Sequence, residues 1–289
     1  MQLKFFQEQV FFATVRIKVT EKAGVGDSIG TGFLYRVPVS DDQNCILLIS
    51  NKHVYGDGKS AIQLIFHKQD PADPNRPSLG ETVILEGTAF ESVLTVHPDQ
   101  SVDLACLNVS SIGSQPIFSK QITDDLMPDF EHERLLPGND VWFVGYPENR
   151  FDTRNNLPIL RRGYIASIPK VDFEGRREFL IDAQVFPGSS GSPVFSALGD
   201  KFMLVGVVSQ TMIKNERLQT VPAAQALAVT QTLGLGIVLK STLLRELLET
   251  ATREIKNRLA NAQPVPTQDT QESEQRDAVK SPATPNTSP

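Results

Sequence analysis

Through most of its length this chain offers its apolar residues in short runs split by turn-forming residues, which restricts it to a protein built from short strands. The runs fall at 11–19, 32–37, 46–50, 62–66, 83–85 and 104–109, and a second series follows at 140–147, 162–166, 179–181 and 203–208. Strand-length runs bounded by polar clusters predict β-structure. Asp70, Pro71, Asp73, Pro74, Asn75, Pro77 and Ser78 predict a surface loop over 69–82. A linker rich in acids, 124–133, separates the two series. From Ser241 the pattern changes: Leu244, Leu247, Leu248, Ala251, Ile255 and Leu259 recur at three- and four-residue steps, predicting a helix over 241–260 that packs on the second strand series. A partner-binding coiled coil is the alternative use of that stripe. Beyond Ala262 the chain is Gln, Pro, Thr, Ser and Asp with no aromatic residue, a composition that predicts a disordered tail over 263–289.

Chemistry concentrates in Pro187-Gly188-Ser189-Ser190-Gly191-Ser192-Pro193. The glycines permit backbone angles that turn N–H groups toward a reacting carbonyl, so the segment reads as a serine nucleophile with an anion cradle. Taken alone it also suits an ordinary turn. A serine hydroxyl needs a base, and the base needs an orienting group. Of four histidines, only His53 closes an apolar run (45–54); His67, His97 and His132 lack that setting. Asp103 stands at the mouth of the short apolar run 104–109, where an unpaired charge is costly. The order His, Asp, Ser excludes an α/β-hydrolase, which places acid and histidine after the serine. Ser192 also stands where that elbow requires glycine.

These motifs resemble the trypsin-like (chymotrypsin-fold) serine peptidases of the compact bacterial type. Gly30-Thr31-Gly32-Phe33 precedes the histidine run as in that family. Asn51-Lys52-His53-Val54 resembles its histidine motif, Val102-Asp103-Leu104-Ala105 its aspartate motif, and Gly188-Ser189-Ser190-Gly191-Ser192-Pro193 its serine motif. The resemblance implies an all-β fold of two six-stranded antiparallel barrels, at about 10–115 and 135–240, with a C-terminal helix and a disordered tail, the peptidase domain covering 1–262. It implies a serine endopeptidase acting through an acyl-enzyme, with His53 as base, Asp103 as its orienting partner and Ser190 as nucleophile. Backbone amides of Gly188 and Ser190 would form the oxyanion hole. Gln184, Ser209, Thr211 and Gly236 resemble pocket positions. A neutral Gln184 at the pocket base disfavours basic substrates, and Thr211 would narrow the entrance, so small or medium uncharged side chains are expected. Ser189 replaces the acid that pairs with a freshly cut amino terminus in the digestive enzymes, so activation by N-terminal cleavage is not expected. Because His53 must be neutral to accept a proton, activity should fall on acidification.

A net charge of −6 without a basic stripe gives no reason to expect nucleic acid or an anionic membrane as partner. Gln7, Glu8 and Gln9 interrupt the apolar N-terminus, which breaks a signal-peptide core, and no run approaches a membrane span. Cys45 and Cys106 sit in apolar runs and read as small hydrophobes, which suits a reducing cytoplasm. His97, Asp99 and His132 lack ligand spacing, so neither metal nor cofactor is expected. The glycine loop over 24–30 reads as a hairpin turn, since no Gly-Lys-Ser/Thr follows it. The expected partner is a protein or peptide substrate. A regulatory partner acting through the helix or tail, and a silent or partner-activated peptidase-fold module, are the alternatives.

Overall fold

The computed structural model describes residues 2–20, 27–219 and 226–262, and within them the strands divide into two antiparallel sheets. In chain order the elements are α1 (Phe6–Ala13), β1 (Thr14–Thr20), β2 (Asp27–Pro38), β3 (Asn44–Ser50), α2 (Lys52–Tyr55), β4 (Ala61–Asp70), β5 (Asp73–Thr88), β6 (Leu94–Val96), β7 (Ala105–Asn108) and β8 (Ile117–Phe118). The second half contributes β9 (Asp140–Gly145), β10 (Ile159–Ile165), β11 (Glu178–Asp182), β12 (Pro193–Leu198), β13 (Lys201–Gln219), β14 (Ala226–Lys240) and α3 (Ser241–Ala262). The C-terminal unit is the expected six-stranded closed barrel, ordered β10-β11-β14-β13-β12-β9. The N-terminal unit has eight strands rather than six, ordered β5-β4-β1-β2-β3-β7-β6 with β8 also on β4. The tail and the glycine loop at 24–26 lie outside the described residues.

Two local readings are corrected. The run 11–19 is strand only from Thr14, because Phe6–Ala13 forms a helix. Glu8, read above only as an interruption, caps that helix: its Oε2 accepts the N–H groups of Lys4 (2.9 Å) and Phe5 (3.1 Å). Phe6 then stacks on Phe202 and meets Phe195 edge-on, which docks the helix on the second barrel. The loop expected over 69–82 is instead the turn and outer strand of the β4–β5 hairpin. Pro74 and Pro77 are tolerated there because β5 is an edge strand, where a missing N–H on the open side breaks no ladder bond.

Elsewhere the alternation in sequence is the alternation in burial. Val15, Ile17 and Val19 of β1 point into the N-terminal core with Leu34, Leu48, Leu64 and Phe66. A separate cluster, including Val141, Phe143, Phe179, Ile181 and Val205, fills the closed barrel. A third cluster joins the two halves: Phe33, Tyr35 and Ile49 from the first, Val144, Phe195 and Leu239 from the second, and Leu243, Leu244, Leu247, Leu248, Ala251 and Ile255 from α3. The helix therefore buries its apolar stripe against both halves, not against the second alone.

His67 of β4 is buried beside Phe12 (ring centroids 4.7 Å apart), and neither ring nitrogen has a hydrogen-bond partner among the described residues. Burial pushes its pKa down to about 4. The unfolded chain takes up that proton near its ordinary value of about 6.5, so stability is lost as pH falls from there towards 4, by a total on the order of 3 kcal/mol. Urea midpoints measured at pH 7 and pH 4.5 should therefore drop further for the wild type than for His67→Leu. Equal drops would show that this imidazole does not contribute.

Candidate active site

The polar residues that end β3 and precede β7 meet because those strands are paired, Ser50 opposite Ala105. After Ser50 the chain makes the one-turn helix α2, anchored by buried Val54 and Tyr55. Tyr55 donates its hydroxyl to the Leu48 carbonyl at 2.7 Å. Gly30 makes room for this turn, since a Cβ there would lie 2.4 Å from Val54 Cγ1. His53 thus projects toward Asp103. Its Nδ1 lies 2.6 Å from Asp103 Oδ2, and its backbone N–H donates to Oδ1 at 3.0 Å. An ionised carboxylate only accepts, so a neutral imidazole paired with it carries its proton on Nδ1 and offers Nε2 as an acceptor. Asn51 Nδ2 ties the same segment to the Asp103 carbonyl at 2.7 Å. The His53 side chain is 49% exposed and that of Asp103 22%, so the pair stands at a surface groove with its carboxylate end turned inward.

Across the groove, residues 187–191 form a loop in which the carbonyls of 187–190 all have donors. Pro187 O accepts Glu148 N–H (2.6 Å), Gly188 O accepts Thr31 Oγ1–H (2.7 Å), Ser189 O accepts Ser192 N–H (3.0 Å) and Ser190 O accepts Thr31 N–H (3.0 Å). Peptide units are planar and trans, so fixing each oxygen fixes the N–H on its opposite side. Two of those N–H groups are used, Ser189 to Phe186 O and Gly191 to Val208 O, both at 2.9 Å. Gly188 N–H and Ser190 N–H donate to no group among the described residues. The loop depends on left-handed backbone at Gly188 (φ 86°) and Gly191 (φ 85°).

His53, Asp103 and Ser190 line one groove of about 460 Å³ with Val185, Phe186, Pro187, Ser209, Gln210 and Thr211. A groove of similar size between α3 and β2 offers Arg245, Arg253, Lys256, Asp124 and Glu249, with no serine, cysteine or histidine. Only the first combines a hydroxyl, an imidazole and free backbone donors.

The sequence matches the family model of the trypsin-like peptidase domain over residues 30–207, more than half of the chain. The chain belongs to the trypsin-like peptidase family. No curated protein matches it. Among solved structures it is similar to the serine endoprotease from Yersinia pestis (TM-score 0.48, 17% identity), covering 85% of this chain and 65% of that one. It is also similar to tobacco vein mottling virus protease (0.46, 12%, covering 83% and 82%) and to the active form of the Rv3671c protease from M. tuberculosis (0.44, 19%, covering 83% and 81%). This chain thus spans just under two thirds of the first of these proteins.

In this member of the trypsin-like peptidase family the expected residues are gathered with three differences. The Ser190 hydroxyl donates to the Ser209 carbonyl at 3.0 Å, and no hydrogen bond joins it to His53. Gln184 is exposed and lies outside the groove. Extended backbone alternates after β11, so Ala183 and Val185 turn inward and Gln184 outward. Gly236 lies behind the wall, where a Cβ would come within 2.5 Å of Val185 Cγ2. Ser209 and Thr211 do line the groove. Sequence reasoning missed Val185, Phe186, Pro187 and Gln210, although the same alternation could have selected Val185 over Gln184. Ser189 is buried, its hydroxyl without a hydrogen-bond partner among the described residues.

A Cβ on Gly191 would lie 2.0 Å from the Thr31 carbonyl oxygen, whereas one on Gly138, also left-handed, would meet nothing within 4 Å. Gly138→Ala should therefore show only the backbone cost of about 1–2 kcal/mol. Gly191→Ala should lower Tm by at least twice as much. Equal Tm shifts would mean that the loop does not depend on this close approach.

Proposed function

We propose that the protein is a serine endopeptidase that cleaves peptide bonds through an acyl-enzyme. The observation that carries this reading is the loop in which every carbonyl from Pro187 to Ser190 is held while the N–H groups of Gly188 and Ser190 stay free, in a groove that also holds a paired imidazole and carboxylate. In the first step the Ser190 hydroxyl turns from the Ser209 carbonyl to His53 Nε2 and adds to the substrate carbonyl carbon. Nε2 takes its proton. Asp103 holds the imidazole tautomer and stabilises the imidazolium that forms. The carbonyl oxygen, now an anion, accepts the Gly188 and Ser190 N–H groups. Collapse returns the proton from His53 to the leaving amine and breaks the C–N bond. Water, deprotonated by the same imidazole, then releases the acid and restores Ser190.

Apart from His53 and Asp103, the groove is lined by uncharged residues, so nothing on its wall would pair with a buried lysine or arginine. We expect cleavage after uncharged side chains. A peptide library cut mainly after Lys or Arg would contradict this. We further expect action in a reducing compartment such as the cytoplasm, since Cys45 and Cys106 are both free thiols.

A second reading is favoured by the hydrogen bond from Ser190 to Ser209, which leaves the hydroxyl off the base: a latent peptidase awaiting a partner. A fluorophosphonate probe separates the two. The wild type should label and Ser190→Ala should not, while Asp103→Asn should keep the fold and lose on the order of 10⁴-fold in kcat. Labelling only after a partner protein is added would establish latency. Failure to label under any condition would reduce the protein to a scaffold.

A further inference from the structure

Gly188 carries no side chain to restrain it, and a glycine between two peptide planes allows either plane to rotate. Its N–H, one of the two free donors, lies in the plane of the Pro187 carbonyl, while the Gly188 carbonyl belongs to the next plane, so the setting of that N–H against the rest of the loop depends on what holds these two carbonyls. One is held by Glu148 N–H on Pro187 O. The other belongs to a plane tied at its far edge by Ser189 N–H on Phe186 O, and its oxygen is held by a side chain from the opposite half of the molecule, the Thr31 hydroxyl on Gly188 O.

We propose that the Thr31 hydroxyl is a positioning residue for the anion cradle, an inference that rests on the peptidase reading of the same site. Thr31 is fully buried. Its Oγ1 accepts Tyr146 N–H at 3.0 Å and donates to Gly188 O at 2.7 Å. A hydroxyl has one proton and an N–H can only donate, so the direction of both bonds is determined: the proton points at Gly188 O. The same residue's N–H donates to Ser190 O, and its carbonyl accepts the Ser50 hydroxyl at 2.6 Å. Four hydrogen bonds thus fix Thr31 between the strand that leads to His53 and the loop that carries Ser190. Only two of them use its side chain, and one of those sets a peptide plane next to a free donor. The turn that presents Tyr146 and Glu148 is itself held in an unusual shape, with Glu148 and Asn149 both left-handed (φ 48° and 55°). Arg16 Nη1 bonds the Asn149 side chain at 3.3 Å, a further tie from the first half to this turn.

The test compares Thr31→Val, which keeps the shape and deletes both side-chain hydrogen bonds, with Thr31→Ser, which keeps both. Turnover of a chromogenic peptide ester per titrated active site should fall roughly 10- to 100-fold in Thr31→Val, less than for outright loss of an oxyanion donor. KM should stay within about twofold, because the oxygen is an anion only in the transition state. Affinity for a peptidyl trifluoromethyl ketone, which forms an oxyanion, should fall in parallel, and Thr31→Ser should recover most of both losses. If Thr31→Val lowers only Tm and the active fraction, with normal kcat per site and normal ketone affinity, the hydroxyl is merely structural and the proposal fails. If the wild type neither labels with fluorophosphonate nor turns over ester, the peptidase reading fails. The lock is then judged by the crystal structure of Thr31→Val: rotated planes at 187–189 support it, and unchanged planes overturn it.

Discussion

Four successive carbonyls, from Pro187 to Ser190, need donors that a loop without secondary structure cannot supply in full. One is satisfied inside the loop, by Ser192 N–H. The other three are satisfied by Glu148 and Thr31, and Thr31 belongs to the opposite half of the chain. The loop therefore takes its shape only when the two halves are docked, and an unpaired buried carbonyl would otherwise cost about 1–3 kcal/mol. Folding across the seam and assembly of the site are thus one event. The shared apolar cluster explains why the seam closes at all. Phe33 and Ile49 belong to the same strands as Thr31 and Ser50, and they pack in one core with Val144 and Phe195.

The C-terminal helix completes this arrangement from behind. Its apolar stripe enters the same shared cluster, and its polar face is bonded to both halves. Glu246 pairs with Arg177 of the second half and lies 3.5 Å from Nε2 of buried His97 in the first. Thr95 donates to Glu254 at 2.6 Å, and Arg258 reaches the Ser92 carbonyl at 2.7 Å. A partly exposed ion pair such as Glu246–Arg177 contributes little, about 0–1 kcal/mol, and the hydrogen bonds beside it are of similar size. Their role is to set the position of a helix whose stability comes from burial. His97 stands only six residues before Asp103, and its N–H bonds the Leu104 carbonyl at 3.0 Å, so the helix braces the segment that presents the carboxylate.

What the sequence reveals follows from which interactions are local. Strand positions were legible because a half-buried strand writes its burial into alternate residues, as Val15, Ile17 and Val19 do. His53, Asp103 and Ser190 were legible because each interrupts an apolar run or a glycine-rich turn with a reactive side chain. Less was legible where the deciding partner is distant. Phe11–Ala13 reads as the start of a strand until Phe195 and Phe202 are there to receive Phe6 and the helix it begins. Pro74 and Pro77 read as loop because nothing in the sequence says that their strand lies at an edge. Gln184 drew attention by its distance from Ser190, when the alternation after β11 turns Val185 inward instead. Thr31 sat in plain view inside a glycine-rich motif, yet its side-chain hydroxyl acts on Gly188, 157 residues away.

The two parts of the site differ in how far they are prepared, and the difference has a physical reason. The proposed cradle is held in place: its peptide planes have bonded oxygens, so in the proposed reaction its N–H groups need not turn when negative charge develops. The proposed nucleophile, Ser190, is not, since its hydroxyl rests on the Ser209 carbonyl. A backbone plane that had to turn during reaction would break several bonds of the loop together. A hydroxyl turns about one bond and exchanges one neutral hydrogen bond, worth about 1 kcal/mol, for another. Placing the adjustable element at Ser190 and the fixed one at Gly188 therefore puts the mobility where it is cheapest. The cradle has to be exact for the proposed chemistry, and it is the element anchored to both halves of the protein.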